Sequence, residues 1–251
     1  MTKEGPVKTA HTVFNVIEAI LELEGARFTE LVDHLGMAQS TLHDHLKTLE
    51  SMGMLVRDGN EYRVGIRFLE YGEQTRQQRQ LYEVGRPQVK ELAEETGEHA
   101  SLMIEENGDG VLLCIEKGDV AVNLGAYAGI RVPLTSNAPG KAILAHLNEE
   151  RIDEIIVEHG LPQLTSKSIT DRSELDNELM NIRERGYAID SGELVEGVKA
   201  ISAPIVSRGE IQGAVTIGGP VKRMSGERFD KILPDLLLKA SNIIELNISH
   251  R

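Results

Sequence analysis

The sequence is short of several residue types, and each shortage excludes a class of protein. Tryptophan is absent, aromatic residues make up only 4% of the 251 residues, and Cys114 is the single cysteine. One cysteine cannot form an internal disulfide, and its apolar neighbours indicate a buried small residue. No run approaches the roughly 18 uncharged apolar residues that a membrane span needs, and the N-terminus has no apolar signal-peptide core. These absences favour a cytoplasmic globular protein.

Basic residues are also scarce. The chain has 27 Lys and Arg against 40 Asp and Glu, a net charge of −13, and residues 1–80 alone hold 9 basic and 12 acidic side chains. Neither part of the chain has the positive charge typical of a phosphate-binding protein. Either the protein does not bind nucleic acid, or it works in a halophilic, high-salt cytoplasm, where acidic surfaces keep proteins dispersed. The excess of arginine over lysine and the low aromatic content favour the second interpretation.

The first 65 residues predict three helices followed by a hairpin. Apolar residues recur at helical spacing in three stretches, at residues 9–23, 30–35 and 38–52. Thr29 is expected to cap the second helix, and Gly36 to make the sharp turn after it. The Asp-Gly pair in residues 58–60 is a strong hairpin signal between strands 54–57 and 61–64. This order of elements is the plan of a winged helix-turn-helix domain.

The third helix has two chemically different faces. Leu42, Leu46 and Leu49 form its core stripe. The opposite face carries short polar groups and one cation, which suit base edges and phosphate in a DNA major groove: Gln39, Ser40, Thr41, His43, Asp44 and Lys47. Arg57 and Arg63 on the hairpin could reach phosphate or the minor groove. The alternative is an ordinary three-helix domain with a solvated polar face.

The rest of the chain predicts a second, larger domain. Residues 66–80 form a polar, glutamine-rich helix that suits a linker, and a further helix is expected over residues 84–96. Beyond it, hairpin-joined strands alternate with helices, which predicts an α+β domain with a mainly antiparallel sheet flanked by helices. Residues 120–126 are expected to form one of these strands. Pro234 either kinks the last helix, within residues 226–248, or marks its start.

Several segments, in order, resemble the isocitrate-lyase-regulator (IclR) family of transcription factors. They include QSTLH at 39–43, GIRFLEYG at 65–72, VPLTSNAPGKAILA at 132–145, RGYAID at 185–190 and SAPI at 202–205. The resemblance implies a winged helix-turn-helix DNA-binding domain (1–65), a linker helix (66–80) and a GAF-like effector-binding domain (81–251). It further implies a homodimer or homotetramer on double-stranded DNA with a palindromic operator. A small-molecule sensor whose winged helix contacts protein rather than DNA remains the alternative.

One departure from the family affects DNA reading. The family commonly carries Arg where this sequence has Asp44. An anion at that place loses a phosphate contact, although it could accept a hydrogen bond from cytosine N4. The family's docking geometry is therefore expected here, but not its base preference.

The segment around residue 137 predicts a ligand site. Asn137 or Ser136 can cap a helix whose first turn contains Pro139 and Gly140, and free N–H groups at such an end attract a carboxylate. The resemblance implies that this loop borders the effector pocket, together with more distant residues. The candidate ligand-binding residues are Thr135, Ser136, Asn137, Ala138, Asp190, Glu193, Val198, Ala200 and Thr216. Because Asp190 and Glu193 would repel a bare carboxylate, they favour a hydroxylated organic acid or sugar acid.

Enzymatic readings find little support. Gly140-Lys141 lacks the other residues of a phosphate-binding loop, and no G-x-S-x-G nucleophile motif occurs. His43 and His45 diverge by about 200° on a helix, so they cannot share a metal. No catalytic residue, cofactor or metal ligand is therefore predicted.

Overall fold

The computed structural model describes residues 7–250, which divide into two compact units, Met1–Thr75 and Arg76–Arg251. The boundary between the units falls within the segment 66–80. Among the described residues, no helix is long and apolar enough to cross a membrane.

The first unit is built from three helices and a small sheet. Its elements are α1 (Lys8–Glu22), β1 (Ala26–Arg27), α2 (Phe28–Leu35), α3 (Gln39–Ser51), β2 (Leu55–Asp58) and β3 (Glu61–Val64). The strands are antiparallel in the order β1-β3-β2. Leu42, Leu46 and Leu49 are buried against α1 and the hairpin, as their spacing predicts. Gly36 ends α2 with a φ of 60°, the left-handed conformation that glycine adopts without strain.

The expected cap at Thr29 is wrong. The helix α2 begins one residue earlier, at Phe28. The carboxylate of Glu30 accepts a hydrogen bond from the backbone N–H of Arg27 at 2.7 Å, so a side chain in the first turn reaches back to the residue before the helix. Glu30 thereby satisfies the N–H of the cap residue Arg27, and Thr29 lies inside the helix rather than at its cap.

Two consecutive helices follow β3 along the chain, and the second of them belongs to the second unit. The chain continues through α4 (Arg67–Gln77) and α5 (Gln80–Thr96). The start of α5 lies earlier than the expected residue 84, because Leu81 and Tyr82 are already buried in the core. Because a polar segment directly precedes Leu81 and Tyr82, the sequence pattern did not assign them to the helix.

A six-stranded sheet forms the centre of the second unit. Its strands are β4 (His99–Glu106), β5 (Asp109–Lys117), β6 (Arg131–Pro133), β7 (Ala188–Asp190), β8 (Val198–Ser207) and β9 (Glu210–Pro220). They pair antiparallel in the order β6-β5-β4-β9-β8-β7. The expectation of an antiparallel sheet flanked by helices is confirmed.

Helices cover both faces of this sheet. They are α6 (Ala138–Leu144), α7 (Glu149–His159), α8 (Arg172–Arg185) and α9 (Leu233–Ser249). One face packs on α5 and α9 through residues such as Leu102, Ile201 and Val215, whereas the other packs on α6, α7 and α8. Residues 226–232 before Pro234 are already helical, with a π-helical turn over Arg228–Ile232, so Pro234 lies within a continuous helical segment rather than at its start.

Residues 120–126 do not form a strand, contrary to the expectation. Their alternating apolar pattern resembles a strand, but the segment runs as an irregular loop between β5 and β6. Val120 and Val122 are exposed, whereas residues 123–126 line a cavity. The loop therefore contributes to the cavity wall rather than to the sheet.

Candidate DNA interface and ligand cavity

The polar face of α3 is fully presented to solvent. The buried leucines hold the helix on the core, and every predicted reader on it is exposed: Gln39, Ser40, Thr41, His43, Asp44 and Lys47. A helix with one buried apolar stripe and an exposed row of short polar side chains can enter a major groove. The imidazole Nδ1 of His43 lies 3.8 Å from a carboxylate oxygen of Asp44, so the anion is next to a possible base-reading group.

The hairpin contributes two arginines in different environments. Arg57 is exposed and stacks on the ring of Tyr62, 5.5 Å from its centroid. Arg63 donates hydrogen bonds to the Glu24 carbonyl and the Glu61 carboxylate, so part of its charge is already satisfied within the protein. Arg57 is therefore the better placed of the two to bind a phosphate.

This candidate interface is nearly neutral. Three cations on α3 and the hairpin are opposed by four anions on the same elements: Lys47, Arg57 and Arg63 against Asp44, Glu50, Asp58 and Glu61. Phosphate attraction gives non-specific DNA binding its strength and its salt dependence. An interface without a positive excess must obtain more of its affinity from base contacts and DNA shape.

A cavity of about 470 Å³ lies in the second unit, on the sheet face that packs against α6. Its walls come from β4, β5, β8 and β9, from the loop before β6, from α6 and from the loop after β7. The lining residues are His99, Ser101, Met103, Leu112, Ile115, Asn123, Leu124, Gly125, Ala126, Ile130, Val132, Asn137, Pro139, Asp190, Leu194, Val195, Val198, Ala200, Thr216 and Gly218. A few polar groups in a mainly apolar wall are typical of a small-molecule site.

The candidate ligand residues divide into two groups. Five line the cavity: Asn137, Asp190, Val198, Ala200 and Thr216. The other four are not among its lining residues: Thr135, Ser136, Ala138 and Glu193. Thr135 and Ser136 lie in a buried 3₁₀ turn before α6, where neither hydroxyl has a partner among the described residues. Ala138 is packed into the core.

The start of α6 does not offer the row of free amides that the sequence predicts. Asn137 caps the helix as expected, and its Oδ1 accepts the N–H of Gly140 at 2.7 Å. Pro139 has no N–H, and the amide of Lys141 donates to the Asn137 carbonyl. These contacts use the N–H groups of Gly140 and Lys141, so the carboxylate site expected at this helix end has fewer free donors than the sequence predicts, and it stays a prediction.

Asp190 is a buried carboxylate at the edge of the cavity. Its Oδ1 accepts hydrogen bonds from the backbone N–H groups of Gly192 (2.8 Å) and Glu193 (2.7 Å). Burial raises the pKa of Asp190, while these amides and the charge of Lys141 act in the opposite direction. The net rise shows that desolvation outweighs the local hydrogen bonds.

Glu193 forms a buried ion pair that sequence reasoning missed. The Nζ of Lys141, whose side chain is 1% exposed, lies 2.5 Å from Glu193 Oε1. Burial raises the pKa of Glu193, although the nearby ammonium lowers it. The pair joins α6 to the loop after β7, which carries the cavity residues Leu194 and Val195. A lysine inside an apolar helix was the available signal, because such a residue needs a buried partner.

Three further polar residues of the cavity were not predicted: Asn123 in the loop before β6, and His99 and Ser101 on β4. His99 and Ser101 occupy alternate positions and face the cavity, whereas the neighbouring Ala100 and Leu102 belong to the opposite core. Only the strand register shows that these two polar residues share a wall with Thr216. No group of three or more His, Cys, Asp or Glu within residues 7–250 could hold a metal ion.

Comparison with known proteins identifies both units. The IclR helix-turn-helix domain matches residues 13–59, and the C-terminal domain of the bacterial transcriptional regulator IclR matches residues 73–245. The chain is 32% identical over 238 residues to a Halobacterium salinarum protein, the probable HTH-type transcriptional regulator ArcR, covering 93% of this chain and 90% of that protein. It is 26% identical to the Escherichia coli transcriptional repressor IclR, with 96% and 90% coverage.

Solved structures of IclR proteins have the same fold as this chain. The crystal structure of Thermotoga maritima IclR superposes with a TM-score of 0.81 at 25% identity, covering 96% of this chain and 98% of that one. An IclR homologue from Microbacterium hydrocarbonoxydans, complexed with 4-hydroxybenzoate, superposes with a TM-score of 0.77 at 21% identity, with 94% and 98% coverage. Like the matched families, these relatives are transcriptional regulators rather than enzymes. The chain belongs to the IclR family of transcriptional regulators.

Proposed function

We propose that the protein is a sequence-specific DNA-binding regulator in the cytoplasm, whose α3 reads bases in the major groove. The observation that carries this proposal is the division of α3 into a buried leucine stripe and an exposed row of short polar side chains. Lys47 and Arg57 would hold phosphates, while Thr41 and His43 would reach base edges. Asp44 would accept from a cytosine amino group.

Substitutions on α3 should separate phosphate contacts from base contacts. Lys47→Ala is expected to weaken binding to every DNA sequence and to flatten the salt slope of log K by about one unit. Thr41→Ala or His43→Ala should instead reduce discrimination at particular bases by about 1–3 kcal/mol. Gel-shift titrations at several KCl concentrations, with the upstream region of the protein's own gene and with random DNA, measure both effects.

The matched control is Lys90→Ala, which removes an exposed lysine from α5 in the other unit. Its amine lies 3.7 Å from Glu94, and the variant should leave DNA affinity unchanged. Equal losses for operator and random DNA in the Thr41 and His43 variants would show that α3 does not read bases. If the wild type binds no DNA at any KCl concentration, the winged helix is a protein-contact module instead.

We also propose that the protein acts as a homodimer, or as a tetramer of two dimers, on a palindromic operator. Within α1, Val13 packs partly against the core, whereas Phe14 and Leu21 are 58% and 59% exposed. Large apolar side chains exposed on one helix indicate a surface that another chain covers. Twofold symmetry then requires two half-sites about one helical turn apart.

Charged residues on this surface should break the assembly. We expect Phe14→Glu with Leu21→Glu to convert the protein to a monomer in light scattering at micromolar concentration, with a large loss of operator affinity. Val157→Glu is the matched control, because Val157 is 87% exposed on α7 in the second unit. A wild-type monomer under the same conditions would contradict the proposal.

For the cavity, we propose a small hydroxylated effector with an apolar body. Fourteen of the twenty lining residues are apolar or glycine. Among the lining residues that the structure describes, none is Lys or Arg. A sugar acid, with polar groups along its whole length, matches this wall poorly, whereas a hydroxy acid with an apolar skeleton matches it better. The structural neighbour holding 4-hydroxybenzoate is consistent with such an acid in this fold. Asp190 would accept from an effector hydroxyl.

Asp190→Asn should separate effector binding from stability. The pKa of Asp190 is raised in the folded protein. Ionised Asp190 therefore lowers the stability of the fold at pH values above the ordinary pKa of an aspartate. This loss of stability disappears as the pH falls and the group takes up a proton. Asn keeps an oxygen for the two backbone amides but carries no charge. We expect an unchanged or higher Tm at pH 7, with the difference shrinking towards pH 4.

The same variant should lose its effector response by tenfold or more while keeping effector-free DNA binding. A thermal-shift screen of hydroxy acids, sugar acids and aromatic acids measures the response of both proteins. If Asp190→Asn responds like the wild type, Asp190 does not bind the effector. If sugar acids alone give a response, the apolar-body proposal is wrong.

A further inference from the structure

His99 lies at the start of β4, with its side chain on the cavity side of the sheet. The residue is 8% exposed. Because β4 pairs with β5 on one side and with β9 on the other, His99 lies between Lys117 of β5 and Gly218 of β9. A residue in two ladders at once has little freedom to move. Its ring is therefore a fixed part of the cavity wall.

The roles of the two ring nitrogens follow from one contact. His99 Nε2 lies 2.5 Å from the carbonyl oxygen of Val122. A carbonyl can only accept, so Nε2 carries the proton and donates. In the neutral ring this leaves a lone pair on Nδ1, which is then a hydrogen-bond acceptor.

Nδ1 is the buried polar atom of the cavity wall that still needs a partner. It makes no hydrogen bond within residues 7–250, and His99 is the one cavity-lining residue among those described that has such an atom. Of the other acceptors, Asn123 Oδ1 is engaged by the Gly125 N–H and Asn137 Oδ1 by the Gly140 N–H. The Thr216 hydroxyl donates to Ser202, whose own hydrogen goes to the Val215 carbonyl. Asp190 is the acceptor proposed above. A buried acceptor without a donor costs free energy that a suitable ligand recovers.

We propose that His99 Nδ1 accepts a hydrogen bond from a hydroxyl of the cavity ligand and thereby selects hydroxylated ligands over their deoxy analogues. The proposal rests on the proposed function of the cavity as the effector site. Beside Asp190, His99 would be a second hydrogen-bond acceptor for the ligand. Its ring would carry the proton on Nε2 and accept the ligand hydroxyl at Nδ1. The same ring donates a hydrogen bond to the Val122 carbonyl. The ligand hydroxyl would therefore bind next to the contact that joins the loop containing Asn123 to β4.

The test uses phenol and toluene as probes, because they share size and shape and differ in one hydroxyl donor. Their dissociation constants for the full chain are measured by ligand-observed NMR for the wild type, His99→Asn and His99→Leu. Asn and Leu are similar in size and neither reaches Val122, but only Asn supplies an oxygen near the place of Nδ1. We expect the preference for phenol over toluene to fall about tenfold in His99→Leu and to be largely kept in His99→Asn.

Ser101→Ala tests the competing partner for the phenol hydroxyl, since it removes the neighbouring hydroxyl of the same wall. A loss of phenol preference in this variant, with none in His99→Leu, would overturn the proposal. A second measurement needs no variant: phenol, but not toluene, should shift the ¹⁵N resonance of His99 Nδ1 in the wild type. An equal response to both probes would also overturn it, yet leave the cavity as a ligand site. If neither probe binds, the proposed function of the cavity fails with it.

Discussion

Lys141→Met is expected to lower the free energy of unfolding of the second unit by about 3–5 kcal/mol at pH 7, because it leaves a buried carboxylate without its cation. The ammonium of Lys141 is paired with Glu193 at 2.5 Å and is almost completely buried. It also lowers the pKa of both Glu193 and Asp190 against the effect of burial. Without it, both pKa values rise further.

The sign of the pH dependence follows from these shifts. A carboxyl whose folded-state pKa is raised contributes stability at low pH that is lost as the pH rises through that pKa. The deficit of Lys141→Met should therefore be largest at neutral pH and should shrink towards pH 4–5, where the carboxyls take up protons. Urea unfolding followed by circular dichroism at several pH values measures it.

A second substitution and a control isolate the cause. Adding Glu193→Gln to Lys141→Met should restore most of the lost stability, because the double variant no longer buries the Glu193 carboxylate without its cation. Lys90→Met removes a lysine from an exposed pair and should cost no more than about 0.5 kcal/mol. A pH-independent deficit, or no recovery in the double variant, would show that lost packing rather than lost charge explains the effect.

Gly140→Ala should be nearly as damaging, for a steric reason. A Cβ at this position would lie 2.1 Å from the carbonyl oxygen of Leu134 and 2.5 Å from its Cα, and a backbone cannot yield as a flexible side chain can. The helix α6 or the turn before it must move, at a cost of about 3 kcal/mol. Asn137 and Pro139 would move with it, so the cavity should lose its affinity for small probes such as phenol.

Gly218→Ala is the matched control for this prediction. Gly218 also borders the cavity and is buried in β9, but an added Cβ would meet the Cβ of Ala200 at 3.5 Å, an ordinary van der Waals distance. Its Tm should change little. Calorimetry of both variants, with and without probe, makes the comparison, and an unchanged Tm for Gly140→Ala would contradict the close approach seen between α6 and the turn.

Local signals predicted the first unit well. Leu42, Leu46 and Leu49 recur at helical spacing, Gly36 supplies a left-handed turn, and Asp58-Gly59 closes a hairpin. Each of these signals lies within about ten residues, which is the range over which helical periodicity and turn chemistry act. The error at Thr29 is also local, since the helix begins two residues before the predicted Glu30 and Arg27 takes the cap position.

The loop at residues 120–126 shows where local pattern fails. Alternating apolar residues satisfy a strand pattern, but the same alternation also suits a loop with one side on a cavity and the other in solvent. Nothing within seven residues distinguishes the two. The choice depends on whether a neighbouring strand edge is available, and β6 at Arg131–Pro133 occupies the edge of β5 instead.

The sequence by itself determined the family and the split of α3 into two faces, and it narrowed the cap of α6 to Ser136 or Asn137, because each depends on neighbours along the chain. Only the tertiary structure decided which polar groups meet in the cavity. The register of β4 and β9 sets His99, Ser101 and Thr216 on one wall, and the fold pairs Lys141 with Glu193, 52 residues away. Burial and pairing between distant residues also decided which donors and acceptors remain for a ligand, and these are properties of three-dimensional packing rather than of spacing in the chain.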